Sequence, residues 1–452
     1  MIASERRAIF SLALLYASRM LGLFMVLPVF VIYGQHLEQA NEVLIGLAIG
    51  AYGLSQAIFQ IPFGSLSDKY GRKKLIFIGL IIFFLGSVLA ASSDTIYGVI
   101  LGRFLQGAGA IASVLMALLS DLTSFESRTK AMAIIGMSIG VSFTAALIIG
   151  PLIAASFGLQ GVFWSTALLA LLGMACLYFL VPTPLVLTKD RNTRIFKDQI
   201  VAVIKNPELI KLDLGIFALH LCLTAVFIAV PITLQQKLHL PGEEHWLVYL
   251  TVMVFSFFAM VPFIIYGEKK QQMKKTFLFA ISLLMLSAFS FVYTQADFAY
   301  FWGSLFFYFM AFNLLEASLP SLVSKLAPAA SKGTAMGVYS TAQFLGAFVG
   351  GVSGGWLLSR YHEVGVYMLV GTVALLWLLV ARLMKNPTNE IGMTLLFSKM
   401  SESNKIDISN ALNGIRGVEE VVLIIDDQVA YLKIHKAELD QQQLDDVMAC
   451  YR

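Results

Sequence analysis

The chain has 452 residues, 58% of them hydrophobic and only 13% charged, with a mean hydropathy of +0.78 and a formal net charge of +4. Water-soluble domains carry roughly 45–50% apolar and about 25% charged residues, so this composition excludes a fully solvated surface and calls for lipid as the outer solvent. The small positive balance gives no footprint for nucleic acid, and three scattered cysteines (Cys176, Cys222 and Cys450) with no CxxC exclude a disulfide framework or a thiol metal site. The first apolar run, from Leu12 to Tyr33, is too long for the core of a cleavable signal and has no cleavage motif.

A bilayer-crossing helix needs roughly 20 mainly apolar residues. Twelve such stretches are expected, near 8–34, 43–67, 75–93, 95–122, 128–157, 161–182, 212–236, 244–267, 276–294, 298–326, 331–359 and 362–384. Long continuous runs, rather than short alternating ones, select helices over a β-barrel. The fold class expected is an all-α membrane protein of two six-helix bundles, 1–182 and 212–387, joined by a basic connection at 183–211.

Lysine and arginine sit in the loops of one side: Arg6 and Arg7, Lys69 to Lys74, Arg128 and Lys130, the 183–211 segment, Lys269 to Lys275, and Lys325 with Lys332. The other side has only Lys237 and Arg360. The positive-inside rule then predicts both termini in the cytoplasm of a bacterial inner membrane. The halves look duplicated. Pro62-Phe63 reappears as Pro262-Phe263, Asp68-Lys69 as Glu268-Lys269, and Lys74 as Lys274, at a constant offset. Such internal repeats are common in secondary transporters.

After Pro387 the pattern changes. Residues 390–397, 418–425 and 429–435 read as strands, 405–416 and 440–451 as helices, with Asp426-Asp427 as the turn of a hairpin. The order βαββα predicts a small α+β domain over 388–452.

The densest local pattern is Gly64-Ser65-Leu66-Ser67-Asp68-Lys69-Tyr70-Gly71-Arg72-Lys73-Lys74. Gly64 and Gly71 suit close packing and a tight reversal. Asp68 can cap a helix start, and Arg72 can pair bidentately with a carboxylate. On residues alone, a glycine turn in a basic loop is as good a reading as a functional one. The stretch resembles the loop 2–3 motif of the major facilitator superfamily at each defining position. Leu101-Gly102-Arg103-Phe104-Leu105-Gln106-Gly107-Ala108-Gly109 is similar to the family's fourth-span motif. Arg19-Met20-Leu21-Gly22, Met25-Val26-Leu27-Pro28 and the appended domain resemble a drug:proton antiporter branch with a C-terminal ferredoxin-like domain.

The resemblance implies that Asp68 contacts the start of the eleventh span, near Gly333 to Gly337, and that Arg72 pairs with Asp121. Together these would latch the basic ends of the two halves, and their release would open that side. One departure weakens the antiporter assignment: Gly150-Pro151 is present in the fifth span, but Ala154-Ala155 replaces the family's final glycine pair. Gly107, Gly150 and Pro151 are expected to serve helix packing, as is the run Gly346, Gly350, Gly351, Gly354 and Gly355.

Charged residues inside membrane spans cost roughly 2.5–3.5 kcal/mol each on insertion scales and are functional candidates by default. Arg19, Arg103, Glu316 and His220 qualify. Glu316 is the expected proton carrier and His220 its partner, since both groups can take up and release a proton. For Arg103 and His220 a purely structural role stands beside the pathway role. The C-terminal domain lacks the CxxC of metal-carrying domains, which leaves a regulatory, interactive or stabilising role.

These features predict a secondary transporter exporting a small molecule in exchange for protons, working as a monomer in the bilayer without cofactor or metal. The alternative is a transporter-derived sensor or regulated facilitator that signals to a ligand or partner through its C-terminal domain. A membrane enzyme is disfavoured, because no nucleophile–base pair, metal-ligand cluster or phosphate loop is present.

Overall fold

The computed structural model describes residues 3–123, 125–183, 200–327, 331–386, 390–397, 400–401, 403–425, 428–435 and 438–451. The membrane part consists of α1 (Ala3–Phe24), α2 (Leu27–Tyr33), α3 (Glu42–Tyr70), α4 (Arg72–Ala91), α5 (Ile96–Ala108), α6 (Ala112–Leu122), α7 (Phe125–Phe179), α8 (Pro207–Ile232), α9 (His245–Lys269), α10 (Met273–Thr294), α11 (Phe298–Leu326) and α12 (Lys332–Arg382). Among the described residues, ten helical stretches are long and apolar enough to cross a membrane.

Two of these ten each hold two crossings. A straight helix rises 1.5 Å per residue, so the 55 residues of α7 would span about 80 Å against roughly 30 Å of hydrocarbon. Gly158, at φ 64° and ψ −170°, breaks the helix instead. The reversal is visible in side-chain contacts. Ser127, near the start of α7, donates to Glu5 (3.1 Å), and Arg7 donates to the carbonyl of Phe179 at its end (3.3 Å). Both ends of α7 therefore lie beside the start of α1. His362 (φ 55°) breaks α12 in the same way. Gly346, Gly350 and Gly354 ascend α8 beside Phe217, Leu221 and Ala225, and the chain then returns with Val370 at Cys222 and Leu383 at Lys211. The twelve expected crossings are all present.

One boundary differs from expectation. The seventh crossing begins at Pro207, not near residue 212, because Asn206 caps it: its side chain accepts from the amides of Glu208 (3.0 Å) and Leu209 (3.4 Å). Asn-Pro is a strong local start signal, the proline having no amide to orphan. Most of the expected 183–211 connection lies outside the described residues.

The C-terminal segment forms β1 (Glu390–Leu396), α13 (Lys405–Asn413), β2 (Val418–Ile424), β3 (Val429–His435) and α14 (Gln441–Tyr451). The sheet is antiparallel in the order β1-β3-β2, with Leu432 opposite both Met393 and Val421. Alternation along β3 sends Ala430, Leu432 and Ile434 inward to meet Ile408, Leu412 and Leu444 of the two helices. The expected α13 runs three residues shorter than predicted, and the Asp426-Asp427 turn lies outside the described residues.

Candidate functional site

Two regions carry the chemistry: a polar junction at the basic face and an interior cluster in the C-terminal bundle. The junction forms because Gly71, at φ 98°, ends α3 and reverses the chain directly into α4. A side chain there would be strained. The reversal places Arg72 one turn from its predecessors. Its guanidinium pairs with Asp68, donates to Ser67 Oγ (2.6 Å) and reaches Asp121 Oδ2 at 3.1 Å. The implied Arg72–Asp121 pair is therefore formed. Gly64 is the packing position the motif predicts: a Cβ there would stand 3.3 Å from Ser113 Oγ, which itself donates to the carbonyl of Gln60 (3.0 Å).

Among the described residues, Asp68 makes no contact with Gly333 or Gly337 at the start of the eleventh crossing. Arg72 holds the carboxylate, and space is open beside Gly333 and Gly337. The reason lies at the opposite face. There α3 and α12 touch backbone to backbone. A Cβ on Gly53 would lie 2.6 Å from the carbonyl of Phe344, one on Gly50 2.8 Å from that of Phe348, and one on Gly351 2.6 Å from that of Gly46. Gly337, Phe344 and Phe348 share one helical face, yet only the latter two meet α3. In α7, Gly140 and Phe143 likewise share the inter-bundle face. Phe143 packs on the other bundle, while nothing lies within 4 Å of a Cβ at Gly136 or Gly140. Among the described residues, the bundles meet backbone to backbone toward the sparse-charge face and leave space at these glycines toward the basic one.

Two of the glycines expected at packing positions lie against neighbouring backbone. Gly107 lies against the backbone of Tyr52, and Gly150 against that of Met25. The glycine run of α12 serves two seams: Gly346, Gly350 and Gly354 meet α8, whereas Gly351 and Gly355 meet α3.

Midway across, a set of aromatic rings closes the gap between the bundles. Phe143 stands against Phe24 (4.8 Å between centroids) from its own bundle and against Phe227 (6.3 Å) and Phe312 (6.2 Å) from the other. One turn further toward the basic face on α11 sits Glu316. Its Oε2 is 3.9 Å from Nδ1 of His220, too long for a hydrogen bond. Neither atom makes a hydrogen bond of normal geometry, and the imidazole also lies against the backbone of Ile216, one turn earlier on its own helix. His220 Nε2 lies 2.7 Å from the side-chain amide nitrogen of Gln343. When that amide donates, the imidazole carries its proton on Nδ1, the nitrogen facing Glu316. Glu316 and His220 are thus brought together as expected, from residues far apart in the chain. The Glu316 side chain is 38% exposed, although its Oε2 is buried.

Two further residues complete this cluster. The hydroxyl of Tyr339, on α12, is buried without a hydrogen-bond partner and interacts electrostatically with both Glu316 and Asp213. Asp213 does not stand out in the sequence because it lies at the edge of the predicted seventh span. The available signal is its spacing: seven residues before His220, it falls on the same face of α8.

Arg19 and Arg103 are not part of that cluster. Both are almost fully buried, at 3% and 1% exposure, inside the N-terminal bundle. Arg19 donates to Tyr52 (3.2 Å), to Gln56 (2.9 Å) and to the carbonyl of Gly109. Arg103 donates to Gln106 (2.9 Å) and lies over the Tyr52 ring. Among the described residues neither meets a carboxylate. No group of three or more metal-ligating side chains occurs among the described residues.

Comparison with known proteins agrees with this architecture. The family description Major Facilitator Superfamily matches residues 12–351. The inner membrane transport protein YajR of Escherichia coli strain K12 is 45% identical over 434 residues, which cover 96% of this chain and 95% of that protein. The multidrug resistance protein MdtH of Yersinia enterocolitica is 23% identical over 377 residues, covering 79% and 90% respectively. The crystal structure of a D-xylose-proton symporter superposes with a TM-score of 0.67 at 19% identity, over 85% of this chain and 98% of that one, a likeness of fold alone.

Proposed function

This chain belongs to the major facilitator superfamily, and on that premise we propose that it exports a small molecule in exchange for protons by alternating access. It is a multi-pass membrane transporter and not an enzyme. In the proposed cycle the basic face is cytoplasmic, following the positive-inside rule, and the structure corresponds to the state open to the cytoplasm. Substrate enters beneath the aromatic rings around Phe143. Glu316 carries the proton and His220 takes part in its transfer.

The observation that carries this reading is the Glu316–His220 approach. A carboxylate and an imidazole from two helices of the C-terminal bundle face each other at 3.9 Å, and the carboxylate Oε2 has no hydrogen-bond partner. Such a pair can change its charge as the closed side changes, which is what coupling requires. The loop at 64–74 then acts as a latch: with the cytoplasmic ends together, Asp68 would meet the start of α12 near Gly333, and Arg72–Asp121 would hold α4 and α6 in register. Proteoliposomes with an imposed pH gradient test the coupling. Drug-like compounds that shift the thermal stability of the purified chain supply the substrates. Uptake that ignores the gradient in the unaltered protein would refute proton exchange.

A second reading rests on the C-terminal segment. β1 approaches α11, the helix that bears Glu316. A ferredoxin-like domain over 388–452 that senses a cytoplasmic ligand would be well placed to regulate the transporter, and its removal separates the two readings.

A further inference from the structure

The fourth crossing is interrupted. α5 ends at Ala108, and α6 begins at Ala112. Between them Gly109 takes φ −71° and ψ 55°, and the chain turns on two tight bonds, Ala110 to the carbonyl of Ala108 (2.8 Å) and Ile111 to that of Gly109 (2.9 Å). A helix end in the membrane leaves backbone carbonyls that lipid cannot satisfy. The guanidinium of Arg19 adds a second, charged donor at the Gly109 carbonyl, at the negative end of the α5 dipole, where a cation is favoured. Its other nitrogen binds Tyr52 and Gln56 on α3. Glycines let the neighbours close in: a Cβ on Gly109 would collide with the backbone of Gly79 on α4.

The segment beyond the break, α6, is attached at two more points. Ser113 donates to the carbonyl of Gln60 on α3 (3.0 Å), and Asp121 at its far end accepts from Arg72 (3.1 Å). α6 is therefore a short helix held at its hinge by Arg19 and at its tip by the loop ion pairs.

We propose that Arg19 is a positioning residue: it pins the break in the fourth crossing, so that α6 moves as one lever with Asp121 and the 64–74 loop. This assigns the buried charge of Arg19 to mechanics and removes it from the proton and substrate pathway. The link from the lever to transport rests on the latch reading above; the pin itself does not.

Hydrogen exchange of the full chain in detergent tests the pin without any substrate. Replacing a charged donor costs on the order of 1.5–3 kcal/mol, so Arg19→Gln should speed exchange across residues 112–122 by about tenfold, with α8 unchanged. Arg19→Lys retains one cationic donor and should raise it by about threefold. Asp121→Asn should also speed exchange there, and the double variant Arg19→Gln/Asp121→Asn should not exceed the larger single effect, because either loss frees the same lever. Exchange that rises only in α1 and α3, effects that multiply in the double variant, or unchanged exchange with altered flux would each overturn the proposal. If Arg19→Gln does not fold, Arg19→Lys decides alone: protection of 112–122 equal to the unaltered chain refutes the pin. Normal transport by Asp121→Asn would refute the latch and leave the pin standing.

Discussion

Gly351 and Gly46 meet backbone to backbone across the two bundles: a methyl group on Gly351 would lie 2.6 Å from the carbonyl oxygen of Gly46. That contact seals the face with few basic residues and requires α3 and α12 to part if the transporter is to open there. Gly351→Val should therefore prevent closure and hold the protein open on that face. A cysteine at Ala347, whose Cβ lies 3.4 Å from where a Cβ on Gly53 would stand, reports the change in a Cys450→Ser background, since Cys176 and Cys222 are buried. Labelling by an impermeant thiol reagent should speed up at least fivefold; an unchanged rate would show that the seam accommodates the added bulk.

Arg72 joins α4 to α6 through Asp121. The pair is partly exposed, so Arg72→Ala should cost only about 0.2–1 kcal/mol of stability. Transport should fall far more, roughly tenfold, because in the proposed cycle the arginine orders the junction between states. Equal melting temperature with reduced initial flux is the expected outcome. Asp68→Asn should behave likewise, with normal expression, and normal flux in both variants would rule out a latch.

Glu316→Gln keeps the shape of the side chain and removes its capacity to change charge. Flux driven by a pH gradient should drop at least tenfold, while exchange of labelled for unlabelled substrate without a gradient persists. A variant that still concentrates substrate against the gradient would move the proton site elsewhere, with Asp213 the next residue to replace.

Truncation after Pro387 removes the sheet of β1 to β3 and its two helices. Their core is self-contained, built from Ile408, Leu412, Leu432 and Leu444. An exporter should keep more than half its flux without them. Flux reduced to background, in a truncated protein of normal abundance and melting temperature, would favour the regulated facilitator.

Crossing helices, the α+β segment and the loop motif are legible in the chain because each depends on neighbours in sequence. Length and apolar continuity announce a crossing, and Asn206-Pro207 announces a helix start. Gly71 next to Arg72 announces a turn, and period-two alternation reveals β3. Arg19, by contrast, looks like a pathway charge from its place in an apolar run. Only the break at Gly109, on a different helix, shows what its guanidinium satisfies. Asp213 is overlooked for the opposite reason, since a carboxylate near a helix end is ordinary until Tyr339, from another helix, links it to the region of Glu316.

By itself, the sequence determined that lipid surrounds most of this chain, that it crosses the bilayer as helices, and that a basic glycine loop joins the second crossing to the third. Backbone hydrogen bonding in hydrocarbon leaves no other choice for such apolar runs. Tertiary structure alone decided which glycines face the opposite bundle, which face is sealed, and which charges meet. Those outcomes depend on the rotation of each helix about its axis, which is set by packing between segments hundreds of residues apart.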